Sequence, residues 1–103
     1  MAINPRRGEV ALDVAGARWR LVPRFAALAA AEAELGSLFA LIERASAGEL
    51  RLVELVALFW HCLDPRPETL TRAAFADALA AAGLARLTPA YKALALAILG
   101  GSA

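Results

Sequence analysis

The sequence predicts a mainly α fold with a small β part: an N-terminal antiparallel β-hairpin packed on a bundle of about five helices. Three observations lead there. Alanine and leucine dominate, with 27 Ala and 18 Leu in a chain of 103 residues that is 60% hydrophobic. Alanine loses no side-chain entropy in a helix, so this composition favours helices before any pattern is considered. Residues 50–63, LRLVELVALFWHCL, form an apolar helix that needs neighbours on most of its circumference. Residues 9–22 alternate with the two-residue period of paired strands.

On a helical wheel the apolar side chains of 50–63 span about 220°, against the single stripe of an ordinary surface helix. Leu52, Val53, Leu55, Val56, Leu58, Phe59, Trp60, Cys62 and Leu63 fall within that arc. Glu54 and His61 share a narrow polar strip that reads as solvated, with Arg51 at its margin. The segment is too short to cross a bilayer, which takes roughly 20 apolar residues. It is expected to be the central helix of a soluble bundle, with Phe59 and Trp60 in the core or on a self-association surface.

From the N-terminus, residues 1–7 are polar and expected to fray. A turn at Ala15-Gly16 pairs Val14 with Ala17, Leu12 with Trp19 and Val10 with Leu21 on one face. The other face sets Asp13 against Arg18, so apolar meets apolar and acid meets base in one register. A lone hairpin is marginal in water, so its Leu12/Trp19 face is expected to lie on helices. Pro23 opens a first helix, about 24–35, with Phe25, Leu28, Ala31 and Leu35 inward and Gly36 as its stop. A second, about 37–46, turns Leu38, Leu41, Ile42 and Ala45 inward. The central helix stops at Asp64-Pro65-Arg66-Pro67. Thr71 caps a fourth helix, about 71–82, burying Ala74, Phe75, Ala78, Leu79 and Ala82. Thr88-Pro89 reads as a cap and first helical residue for a fifth, about 89–99, with frayed residues after it. One domain is expected throughout 1–103.

The chemistry-bearing residues are few. One His and one Cys provide no zinc ligand set, and the glycines stand singly at turns rather than in a phosphate loop. Glu54 and His61 are two turns apart, roughly 10 Å, too far to share a metal or a proton. Cys62 lies on the apolar arc and reads as a buried structural thiol. No catalytic, cofactor or metal site is expected, and the protein is read as non-enzymatic. A net charge of +1 disfavours nucleic acid. The helix–glycine–helix outline of FADALAAAGLARLTPAYK offers only Tyr91 and Lys92 to a DNA groove. A single Cys, and no apolar h-region at residues 1–10, lead to an expectation of a cytoplasmic protein without a membrane anchor.

Glu32 is the informative polar position, because it lies on the apolar stripe of the first helix. It is either a flank carboxylate reaching water or an anchor bonded to a helix N-terminus or an arginine.

RGEVALDVAGARWRL running into FAALAAAEAELG resembles the tail assembly chaperones of gene transfer agents and related siphophage-like elements. The pattern is a small-residue hairpin leading to a helix with Ala27, Leu28, Glu32 and Gly36. SLFALIERASAGELRLVELVALFWHCL and then LTRAAFADALAAAG continue the likeness over nearly the whole chain. Three features depart from it: Glu49-Leu50-Arg51 where a Ser or Thr cap is expected, the His61-Cys62 pair, and the Asp64–Pro67 break. The resemblance implies binding: such chaperones hold the helical, aggregation-prone tape-measure protein until the tail tube polymerises around it. Other tail proteins, and self-association, are the remaining partners it implies. Members are also described as tail-tube components, so a structural tail subunit is the alternative, and a small helical adaptor is a third.

The C-terminal helix supplies the candidate partner surface. Tyr91, Leu94, Ala95 and Ile98 suffice to dock it, while Leu96 and Leu99, beside Lys92, lie about 140° and 80° around from Tyr91.

Overall fold

The computed structural model describes residues 3–100. A single 3₁₀ turn, Pro5–Arg7, leads into strands β1 (Val10–Val14) and β2 (Ala17–Leu21). Five helices follow: α1 (Phe25–Leu35), α2 (Leu38–Ser46), α3 (Leu52–Cys62), α4 (Arg72–Ala82) and α5 (Leu84–Gly100). The hairpin register pairs Val10 with Leu21, Leu12 with Trp19, Asp13 with Arg18 and Val14 with Ala17. Ala15 and Gly16 both have positive φ, 55° and 73°. That is the type I′ signature, whose twist suits a two-residue hairpin. Ala15 bears a left-handed cost of about 1–2 kcal/mol that a glycine would avoid.

The hairpin is tied down on two sides. Its buried face, with Leu12 and Val14, rests on α4 and α5. Along the free edge of β2, the chain leaving α3 adds backbone bonds from Val22 N–H to Cys62 O (2.7 Å) and from Asp64 N–H to Arg20 O (3.0 Å). Arg24 holds the Asp64 carboxylate at 2.9 Å. An edge strand with unpaired backbone groups invites pairing with other chains, and the C-terminal end of this one is covered.

At the centre, Leu55 to Phe59 form an unbroken buried run of α3, between α1 and α4. Phe59, Phe75, Leu58, Leu79, Leu87 and Leu94 are fully enclosed. Ser37 and Thr71 cap α2 and α4, accepting from Ala40 N–H and Ala74 N–H at 3.2 and 3.1 Å. The Arg51 side chain offers no acceptor at the start of α3. Glu54 reaches back instead, its carboxylate accepting the Arg51 backbone N–H at 3.0 Å.

Several expectations are corrected. Phe25, assigned to the inward stripe of α1, is 87% exposed; α1 buries Ala31 and half-buries Leu28 and Leu35 against its neighbours. Ala74 is exposed rather than buried. The central helix begins at Leu52, not Leu50, and in its first turn Leu52 and Val53 face outward. The arc is covered only where α1 and α4 flank it. The last helix begins at Leu84, not Pro89, directly after Gly83, where the chain bends 112° between α4 and α5. Thr88 is therefore inside the helix, and its hydroxyl donates to Leu84 O at 3.3 Å. Pro89 follows within the second turn, where its missing N–H removes one internal bond. Of the ends expected to fray, Pro5–Arg7 is an ordered turn, Gly100 closes α5, and residues 1, 2 and 101–103 lie outside the described residues.

Candidate partner-binding groove

The five-residue advance of α5 creates the site. A helix starting at Leu84 aligns Leu84, Thr88, Tyr91 and Lys92, Ala95 and Leu96, and Leu99 at spacings of three and four. That is one continuous stripe along the helix. The opposite face, Leu87, Ala90 and Leu94, is buried in the core. Gly8, with φ of +77°, lets the chain turn into β1 close to this helix; a Cβ there would lie 3.4 Å from that of Ala97.

The outer stripe of α5 forms one wall of a groove of about 580 Å³. The other wall comes from the end of α2 and the start of α3, through Ile42, Ala45, Leu50, Arg51, Leu52 and Leu55. Leu96, Leu99 and Leu52 on its surface are 72%, 53% and 40% exposed. The three residues assigned to the partner face, Lys92, Leu96 and Leu99, are all among its lining. The α2–α3 wall had a visible trace in the sequence: an apolar arc on 50–63 wider than its neighbours could cover. Its pairing with α5 had none, because it depends on where α5 begins.

Electrostatically the groove is one-sided. Among the described residues, Arg51 and Lys92 are its only charged lining residues, and both are cationic. The whole of α5 carries Arg86 and Lys92 and no carboxylate. Nearby Glu54 is not in the lining and is engaged chiefly with Arg44, although the Arg51 charge also acts on it. The Arg44 guanidinium, at 2.6 and 3.0 Å, and then the Arg51 backbone N–H hold its carboxyl down at about 2. Among the described residues, neither Arg51 nor Lys92 has an ion-pair partner. Among the described residues the Tyr91 hydroxyl has no hydrogen-bond partner, and burial pushes its phenol above the ordinary range.

The remaining singled-out residues have structural surroundings. Leu12 is buried, and Trp19 is half-buried with its ring edge-on to Phe75, centroids 5.8 Å apart. Phe59 is fully enclosed, whereas Trp60 is half-buried between Phe75 and the Arg66 guanidinium, which lies 4.5 Å from the ring centroid. Glu32 accepts the Leu38 N–H at 3.0 Å, so this exposed carboxylate clasps the N-terminus of α2 across a 73° corner. Of the strip expected to be solvated, Glu54 is paired as described and His61 Nε2 lies 2.9 Å from Glu34. Arg72 joins them at 2.7 Å, and its hydrogen bonds, followed by that of His61, hold the Glu34 carboxyl down at about 2. Cys62 is enclosed, and burial pushes its thiol up to about 12. Among the described residues, no group of three His, Cys, Asp or Glu is placed to hold a metal. No single helix among them is long and apolar enough to cross a membrane.

A family model described as phage tail tube protein, GTA-gp10, matches residues 7–101. The chain belongs to this family of gene transfer agent and phage tail proteins. No curated protein and no solved structure matches it. The match runs from the turn before the hairpin to the end of α5, and so includes every residue of the groove.

Proposed function

We propose that this tail-family protein is a non-enzymatic tail assembly chaperone. It binds the tape-measure protein in the bacterial cytoplasm and keeps it soluble during tail morphogenesis. The observation that carries this reading is the apolar groove between α5 and the α2–α3 corner, with Leu96 and Leu99 left uncovered on its wall. A fully enclosed leucine is worth about 1.5–3 kcal/mol, so a partner covering both recovers a sizeable term. Helical segments of another tail protein suit such a surface, as amphipathic helices suit apolar grooves generally. The bonds at the C-terminal end of β2 speak against assembly by strand addition at that end.

The second reading is a structural tail subunit retained in the particle, and the family's description as a tail tube protein favours it. Co-expression with the tape-measure protein separates the two. Under the chaperone reading, wild type raises the soluble fraction of the tape-measure protein, and Leu96→Ser with Leu99→Ser abolishes the gain while the variant stays folded. No solubilisation by either, together with tube-like copy number in purified particles, establishes the structural subunit instead.

A further inference from the structure

We propose that the α2–α3–α5 groove seats an amphipathic helix of about four turns whose apolar stripe is flanked by carboxylates. This rests on the groove being the partner site, and it specifies the chemistry of the partner.

Length follows from the wall. Leu84 and Leu99 are fifteen residues apart on one helix, about 22 Å at 1.5 Å per residue. A helix lying along that stripe matches it with about four turns and anchors at i, i+4, i+7 and i+11.

Conformation follows from the backbone. The walls are helices whose own N–H and C=O groups are paired internally, and their exposed surface here is mostly aliphatic. An extended segment laid in the groove would leave its amides without partners there. A helix satisfies its own and presents only side chains.

Charge follows from Arg51 and Lys92, which stand on opposite walls. With no carboxylate among the described lining residues, the groove favours acidic residues on both flanks of the incoming stripe and opposes basic ones. The same asymmetry disfavours self-occupancy, because a second copy's α5 would bring its own Lys92 towards Arg51 and Lys92.

The test uses two synthetic 16-residue helices with identical leucine anchors, one flanked by Glu and the other by Lys. Binding to the full chain is read by fluorescence anisotropy at low and high salt. The Glu peptide is expected to bind roughly tenfold more tightly at low salt, and the gap to shrink at high salt. Arg51→Glu with Lys92→Glu reverses the preference, and Leu96→Ser with Leu99→Ser removes binding of both peptides. Equal affinity of the two peptides for wild type overturns the proposal without any variant. So does binding of neither peptide, or tight binding that survives the two serine substitutions. A groove that takes the Glu peptide while co-expression fails to solubilise the tape-measure protein retains this inference and removes the chaperone reading.

Discussion

The two faces of α5 are built from the same kinds of residue and have opposite fates. Inward, Leu87, Ala90 and Leu94 meet the hairpin and α4 and lose contact with water. Outward, Leu84, Leu96 and Leu99 stand over a groove whose far wall does not reach them. Hydrophobicity alone does not distinguish these positions. What differs is whether another element lies opposite, and only the inner face has one. The outer face is in effect a core with one layer missing, which is the expected form of a surface whose last layer belongs to another molecule.

The strongest way to break this comparison is to empty the closed half. Phe75 is 1% exposed and touches both Trp19 and Trp60, so Phe75→Ala is expected to cost about 3–5 kcal/mol in urea denaturation. A loss below 1 kcal/mol would mean that the inner face is no better packed than the groove. Trp19→Ala removes a half-buried ring from the same cluster and is expected to cost about 2–3 kcal/mol, less than full burial would give. An unchanged midpoint would reduce the hairpin to an appendage.

Glu32 marks the boundary between the halves, since it clasps α2 to α1. Glu32→Gln keeps the shape and removes the charge at the helix N-terminus, for an expected loss of about 0.5–1 kcal/mol in thermal unfolding. Glu34 tests the closed half through pH. Its folded carboxyl, held down first by Arg72 and then by His61, titrates at about 2, against an ordinary 4.5. Its stabilisation is therefore complete above about 4.5 and is lost as pH falls towards 2. Solvent screening at this partly exposed site keeps that contribution to about 0.5–1 kcal/mol. Glu34→Gln should flatten this acid limb, and an unaltered pH profile would show that the pairing adds nothing. The smallest effect belongs to the groove. Leu96→Ser with Leu99→Ser is expected to change unfolding by no more than about 0.5 kcal/mol, as at other exposed positions. A larger loss would mean that the groove is closed in solution.

The sequence by itself determined the elements and the hairpin register. Both follow from short-range rules: apolar periodicity, a cap at Thr71, and a turn whose pairing satisfies Asp13 and Arg18 at once. It also marked Leu96 and Leu99 as surplus to docking, because a helical stripe of given width can be assigned without knowing its neighbour. The tertiary structure alone decided which apolar faces are covered. Phe25 and Leu28 share one stripe, yet Phe25 is exposed, and Val53 belongs to the same arc as the buried Val56. It also supplied partners that local spacing does not encode. Glu34 meets Arg72 across 38 residues and His61 across 27. The start of α5 was the decisive case. Thr88-Pro89 has the local chemistry of a helix start, but Gly83 had already turned the chain. Five further residues of helix could then pack Leu87 inside and align Leu84 with Leu99 outside. Burial of a leucine outweighs a capping preference of about 1 kcal/mol, so packing overrode the local signal and created the groove.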